Sequence, residues 1–417
     1  MAVADIHQTV ADAGRAARRA SGRLAEADGA AVTAALRDMA ARLTTAAPAV
    51  LSANHADVEA AVGGGMAEAL VDRLRLGEAR LWGMAEQLLT LADTPDDPAV
   101  ASVRTLANGV RVEERRRPVG VIGANYEARP NVTVDVASQL LKSRNAGVLR
   151  TGGAALGSAI ALLDEVIRPA LHEAGIEEDA IQLVRSPDRA AAVALCSLPD
   201  LIPLVILRGS GETTARLAAH AAANGVRTMA HAEGGGVLYV DAAADGRLAR
   251  ELVVASLDRL GVCNRLNLLL VAESRWDELL PELLAILDDL GIRPSLPPHP
   301  HPRGHEWALD DGNEATVTLD RVADARAAAA VANEETSGLA AAIVTEDPTA
   351  AEAFLTSYAG TGAFWNVSTR MLDGFKLLAA PETGINVDHV PGPRGPVTFR
   401  DLHLRQYVIT PPADARR

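Results

Sequence analysis

Between residues 119 and 240, short apolar runs alternate with helical segments, and this alternation constrains the fold more than any other feature of the chain. Val119–Gly123, Ala146–Leu149, Ala180–Leu183, Ile202–Leu207 and Val237–Val240 are the apolar runs. Asn131–Lys142, Ala154–Leu171, Asp188–Leu195 and Gly211–Ala223 are the helical segments. Short uninterrupted apolar runs suit strands buried on both faces, and parallel neighbours need helical crossovers between them. The predicted fold class is therefore α/β, built on a doubly wound, mostly parallel sheet. A second α/β set is expected from Gly236 to about Trp365, with Leu266–Val271 and Leu339–Val344 as strands and a Pro-rich loop at Pro294–Pro302.

Upstream, residues 1–95 read as helices. Val32, Leu36, Met39 and Leu43 recur at helical spacing, as do Leu81, Met84, Leu88 and Leu91. Gly63-Gly64-Gly65 breaks the pattern. Val103–Arg117 changes to alternation around Asn108-Gly109, a strong hairpin signal. Val397–Thr410 reads as one or two extended segments. A chain of 417 residues with 48% hydrophobic residues fills two or three domains with a large core. That excludes a disordered tail and a small disulfide scaffold. The net charge of -14 repels phosphates and anionic lipid, so neither nucleic acid nor membrane is an expected partner. No apolar run reaches the length of a membrane helix, and the N-terminal stretch lacks an apolar signal core. A cytoplasmic location is expected. Cys196 and Cys263 allow one bridge at most.

Several residues could carry chemistry. Cys263 lies in GVCNRLNLLLV, between a glycine and an apolar strand. A thiolate there could attack an activated carbonyl, although a lone cysteine is more often a buried structural thiol. Asn131 opens a helix after Pro130, either as an N-cap or as an amide donor for an oxyanion. Arg150-Thr151-Gly152-Gly153 and Arg208-Gly209-Ser210-Gly211 each join a strand to a helix. Either turn could cradle an anion, and the pair suggests a dinucleotide. His299, His301 and His305 could be read as metal ligands, but a solvated Pro-rich loop is the simpler reading, and no metal is expected. Ser368 lacks the surroundings of a hydrolase nucleophile.

The stretch RRRPVGVIGANYEARPNVTVDVASQLLKSRNAGVLR closely resembles the γ-glutamyl phosphate reductase family of proline biosynthesis, within the aldehyde dehydrogenase superfamily. YEARPNVTVDVAS is its most specific part. The resemblance runs from ANHADVEAA and ALVDRLRL to NVSTR and RGP, nearly the whole chain. It implies an aldehyde dehydrogenase-like fold with a doubly wound cofactor domain (1–104 and 118–234). A catalytic domain (235–378) and an oligomerisation hairpin and tail (105–117 and 390–412) complete it. It implies Cys263 as nucleophile and Asn131 as the oxyanion amide. It places Arg129, Pro130, Arg150, Gly152, Gly153, Gly209, Ser210 and Glu382 at the cofactor, Glu382 on the nicotinamide ribose. Tyr126, Asn264, Asn366, Ser368 and Arg370 are placed at the substrate. The implied cofactor is NADP(H), the implied substrate a small amino-acid-derived acyl phosphate, and the implied assembly a homodimer or homotetramer.

The chain also departs from the family's pattern. Ser256 stands where the family has Lys, Asn267 where it has Glu, and Gly236-Val237 where it has Cys-His. Leu339-Ala340-Ala341 replaces His-Ser-acid, and Ala154 replaces a basic residue. Polar groups are lost on the substrate side while the nucleophile, the oxyanion amide and the ribose acid remain. A paralogue acting on another acyl phosphate or aldehyde is thus an alternative, as is an inactive homologue. Glu233, in HAEGGG, could instead activate water and make the enzyme an oxidising one.

Overall fold

The computed structural model describes residues 3–412 apart from 128, 210, 232, 233, 311, 388–391 and 393. The chain forms two compact units. The first comprises residues 1–230, 379–384 and 397–417, and the second residues 231–378 and 385–396. The contacts thus change partners between residues 230 and 231, four residues before the expected position, and the segment 379–384 returns to the first unit.

The first unit opens with five helices: α1 (Val3–Ala25), α2 (Gly29–Thr45), α3 (Ala47–Gly63), α4 (Glu68–Leu74) and α5 (Glu78–Asp93). Leu36, Met39 and Leu43 of α2 are buried in one core with Leu81, Met84, Leu88 and Leu91 of α5. The helical period thus marks real apolar stripes. Strands β1 (Val100–Thr105) and β2 (Arg111–Pro118) form the hairpin, with Gly109 at φ +81° in its turn. Then come β3 (Val121–Tyr126), helix α6 (Asn131–Lys142), β4 (Ala146–Thr151), β5 (Ile181–Leu183), β6 (Leu204–Arg208) and β7 (Arg227–His231). Their sheet runs β5-β4-β3-β6-β7, and the pairs β3–β4, β3–β6 and β4–β5 are parallel. The chain moves outward from β3 to β5, then returns to lay β6 against the other side of β3. This reversal is the topological switch point, where open α/β sheets bind ligands beyond the carboxyl ends of their strands. The loops at that point begin at Glu127 and Gly209.

The second unit carries β8 (Gly236–Val240), β9 (Leu266–Ala272), β10 (Arg293–Ser295), β11 (Thr316–Val322), β12 (Ala340–Val344) and β13 (Gly362–Trp365). They run β10-β11-β9-β8-β12-β13, all parallel. Leu238, Val240, Leu269 and Val271 face one core, and Val237, Tyr239, Leu268 and Leu270 the other. Both faces are covered, which is why these strands read as unbroken apolar runs. Two short strands, β14 (Gly384–Asn386) and β15 (Gly395–Val397), pair with each other. In the first unit β16 (His403–Thr410) pairs antiparallel with β2, giving the sheet β1-β2-β16. Val103, Leu404, Tyr407 and Ile409 are exposed on it. Among the described residues no helix is long and apolar enough to cross a membrane.

Candidate active site

The two cysteines have different surroundings. Neither is in a disulfide. Cys196 is wholly buried in the first unit, and burial pushes its thiol up to about 12, so it stays protonated and inert. Cys263, in the second unit, is half-buried just ahead of β9. The burial that a lone cysteine commonly has therefore belongs to Cys196.

Backbone holds the Cys263 loop. Gly235 N donates to Cys263 O at 2.6 Å, and Gly236 N donates to Arg265 O at 2.6 Å. Gly235 has φ +105°, and a Cβ there would lie 2.6 Å from Asn267 Nδ2. The run Gly234-Gly235-Gly236 is thus a strap laid across the cysteine loop, close enough that side chains are excluded. Glu306 accepts from Gly234 N and ties the strap to the Pro-rich loop. Leu339, Ala340, Leu372 and Ile385 form a small apolar cluster that packs against Cys263.

Neighbouring polar residues brace this loop. Asn264 is buried; its Nδ2 donates to Leu372 O at 2.9 Å, and its Oδ1 accepts from Arg370. Thr369 Oγ1 donates to Asn264 O at 2.9 Å, and Arg370 Nε donates to Asp258 at 2.7 Å. Ser368 Oγ lies 2.8 Å from the buried Ser256 Oγ. Asn366 Oδ1 accepts from Thr345 N and its Nδ2 donates to Thr345 O, both at 3.0 Å, so its amide serves the end of β12. Asn264, Ser368 and Arg370 thus gather beside Cys263 in one bonded network, whereas Asn366 spends its amide on the backbone of Thr345. Arg265 is fully buried, donates to the carbonyls of Glu314 and Thr316, and is pushed down to about 10 by desolvation. Asn267 is buried with neither amide atom hydrogen-bonded.

In the first unit Asn131 is the first residue of α6 and does not cap it; Pro130 holds the cap position. Its Nδ2 instead donates to Asp135 Oδ2, one turn along, at 2.9 Å. Burial raises Asp135 to about 6, while Arg208 at the end of β6 and the Asn131 bond pull the other way. Tyr126, expected at the substrate, is a core residue: its hydroxyl lies 2.8 Å from Thr133 Oγ1, and the residue is 1% exposed. Arg129 and Pro130 lead into α6, and Glu382 is half-buried in the segment 379–384.

The two glycine turns differ in their surroundings. Past Gly152-Gly153, the amide and hydroxyl of Ser158 both donate to Asp57 Oδ2, at 2.7 and 2.6 Å, so a carboxylate already fills that helix N-terminus. At the other turn, a Cβ on Gly209 would lie 2.8 Å from Glu127 Oε1. Ser210 and Glu233 lie outside the described residues. Arg150 and Thr151 end β4 rather than follow it. Arg150 is buried, donates to Asn125 Oδ1 at 3.2 Å, and keeps Nε without a partner; Thr151 Oγ1 is also unpartnered. These orphaned groups at a strand's carboxyl end fit the polar edge of a nucleotide.

In the Pro-rich loop Pro297, Pro298, Pro300 and Pro302 are exposed, while the histidines are half-buried. His301 lies 2.7 Å from Ser295 Oγ, His305 lies 2.9 Å from Asp310, and Trp307 packs edge-on against both rings. Among the described residues no three His, Cys, Asp or Glu side chains form a group that could hold a metal. The sequence by itself does not single out Gly234, Gly235, Glu306, Arg265 and Asp135. The glycine run in HAEGGG and the i, i+4 spacing of Asn131 and Asp135 were the available signals.

Comparison with known proteins agrees with this architecture. The aldehyde dehydrogenase family profile matches residues 4–299. The gamma-glutamyl phosphate reductase of Caulobacter sp. (strain K31) is 35% identical over 97% of this chain and 98% of its own length. That of Shewanella woodyi is 33% identical over 95% and 97%. The crystal structure of gamma-glutamyl phosphate reductase from Thermotoga maritima superposes with a TM-score of 0.89 at 28% identity, covering 98% of this chain and all of the other. An acetylating aldehyde dehydrogenase from Geobacillus thermoglucosidasius shares the fold, with a TM-score of 0.74 at 16% identity over 98% of this chain and 97% of its own.

Proposed function

We propose that this chain, which belongs to the aldehyde dehydrogenase family and within it to the gamma-glutamyl phosphate reductases, reduces L-glutamate 5-phosphate to glutamate 5-semialdehyde and phosphate. The reaction serves proline biosynthesis, in the cytoplasm, with NADPH as reductant. The observation that carries the mechanism is the half-buried Cys263 in a loop strapped by glycine backbone, set against the sealed Cys196.

The Cys263 thiolate attacks the acyl carbon of the mixed anhydride. A C–S bond forms, the C–O bond to phosphate breaks, and phosphate leaves. Covalent capture divides one difficult reduction into two easier steps. Asn131 is assigned the role of oxyanion amide, since a fixed donor is worth most where a carbonyl oxygen gains charge. A nicotinamide cofactor, when bound, would supply the hydride that reduces the thioester. Collapse of the reduced adduct breaks the C–S bond, releases the aldehyde and restores the thiolate. Arg150, Thr151 and Glu382 are the residues that would hold the cofactor. Asn264 and Arg370 brace the loop from one side and border the substrate.

Among the described residues no further strand pairs with the sheet β1-β2-β16, and Leu404, Tyr407 and Ile409 are exposed on it. Unpaired edges of that kind are normally covered, and a homodimer or homotetramer covers these.

Purified protein with NADP+, glutamate 5-semialdehyde and inorganic phosphate tests the reaction in reverse, read as NADPH absorbance. Phosphate-dependent turnover abolished by Cys263→Ala supports it; turnover without phosphate refutes it. The same assay with NAD+ decides the cofactor. One observation favours a second reading. The wall beside Cys263 is apolar (Leu339, Ala340, Leu372, Ile385), and the buried Asn267 is neutral. A less polar acyl group would suit that wall. A panel of aliphatic aldehydes, compared by kcat/KM with the semialdehyde, separates the two.

A further inference from the structure

We propose that Asp135 is the positioning residue for Asn131, its carboxylate setting which end of the Asn131 amide is presented as a donor. This rests on the role given to Asn131 above.

The argument begins with helix geometry. Residues four apart lie on one face of a helix, one turn above the other. Asn131 starts α6 without capping it, so its amide is not spent on the helix's own N–H groups. Its Nδ2 donates to Asp135 Oδ2 at 2.9 Å. An ionised carboxylate can only accept. It therefore holds the NH2 end of the amide toward itself, and the second N–H of that nitrogen stays in a fixed direction. A neutral carboxyl can also donate. It can then bond Oδ1, the amide can turn over, and the donor is lost from its place.

The groups facing Asp135 decide when this happens. Arg208, at the end of β6 beside the switch point, favours the charged form. Tyr126, on β3, is neutral, with its hydroxyl held by Thr133. Burial outweighs both the arginine and the asparagine and raises Asp135 to about 6. The unfolded value is near 4. A folded value above the unfolded one means that ionised Asp135 works against folding at neutral pH. Its contribution to stability improves as pH falls through about 6 toward 4.

The test uses the full chain and three variants. Asp135→Asn preserves shape but accepts and donates equally, so it no longer sets the amide. It is expected to melt at or above the wild-type temperature and to keep the aldehyde KM. Its kcat at pH 8 should fall by about tenfold, short of the 10²–10³ lost when a donor is deleted outright. Wild-type kcat should fall below about pH 6, and this acid limb should vanish in Asp135→Asn. Wild-type kcat with the limb intact overturns the proposal, and so does a lowered melting temperature with kcat unchanged. Should Asp135→Asn fail to fold, Asp135→Glu decides: an acid limb displaced along the pH axis supports the assignment, and an unmoved limb overturns it. Asn131→Ala separates the two levels. If it is inactive while Asp135→Asn matches wild type, only the Asp135 proposal fails. If Asn131→Ala retains wild-type kcat, the role of Asn131 fails and the proposal falls with it.

Discussion

Gly234 stands so close to Cys263 that a Cβ added to it would lie 2.7 Å from the cysteine's own Cβ. The same added carbon would meet Cys263 O at 2.7 Å and Cα at 2.8 Å. These are backbone neighbours, which cannot swing aside as a flexible side chain would.

Gly234→Ala must therefore move the cysteine loop. A displacement of about 1 Å at a reacting group costs on the order of 100-fold in rate. We expect kcat to fall by about that factor while circular dichroism stays that of the wild type. A kcat within threefold of wild type would show that the strap can shift without disturbing Cys263.

The two thiols should react unequally. Iodoacetamide at pH 8 is expected to label Cys263 and leave Cys196 intact until the protein is denatured, since Cys196 is wholly buried with its thiol pushed up to about 12. Peptide mapping by mass spectrometry reads both sites. Equal labelling in the native protein would contradict the difference in burial.

Arg265→Met tests the buried guanidinium. The methionine keeps the apolar stem but abandons the carbonyls of Glu314 and Thr316. Each buried carbonyl left unsatisfied costs about 1–3 kcal/mol, and removing the buried charge returns part of that. The net loss should be about 1–3 kcal/mol, seen as a lower midpoint in urea. A raised midpoint would mean that burying the charge costs more than its hydrogen bonds return.

Tyr126→Phe distinguishes packing from substrate contact. Only the hydroxyl bond to Thr133 is lost, so stability should fall by about 1 kcal/mol with KM unchanged. A tenfold rise in KM would restore Tyr126 to the substrate.

Ile409 is 66% exposed on β16, within the sheet we assign to assembly. Ile409→Lys places a charge where an apolar contact is expected, and light scattering should show smaller particles than the wild type. A wild-type protein already monomeric at assay concentration would remove the proposal.

Much of the framework was legible because it rests on neighbours in sequence. The helices Asn131–Lys142 and Gly211–Ala223 match their predicted ends. Amphipathic spacing and the flanking Pro130 and glycine turns mark those ends locally. Strands fared less evenly. β9 and β12 announce themselves as apolar runs, whereas β7, with Arg227, Thr228 and His231, and β11, beginning Thr316-Val317-Thr318, do not. Polar residues in those strands are made tolerable by partners the local sequence does not contain.

The site was legible only as candidates. Cys263 and Cys196 look alike as letters, and position in the folded units makes one half-buried and the other sealed. Residue order already carries helical period, apolar runs and turn residues, because these depend on atoms within a few positions of each other. It also carries the family, through a motif long enough to be specific. Folding alone brings Asn264 to Leu372 across 108 positions, Glu306 to Gly234 across 72 and Ser158 to Asp57 across 101. Those encounters decide which amide braces the Cys263 loop, which glycines must stay glycine and which helix end is already filled by a carboxylate. They are set by how helices and sheets pack, a property of the whole unit rather than of any short stretch.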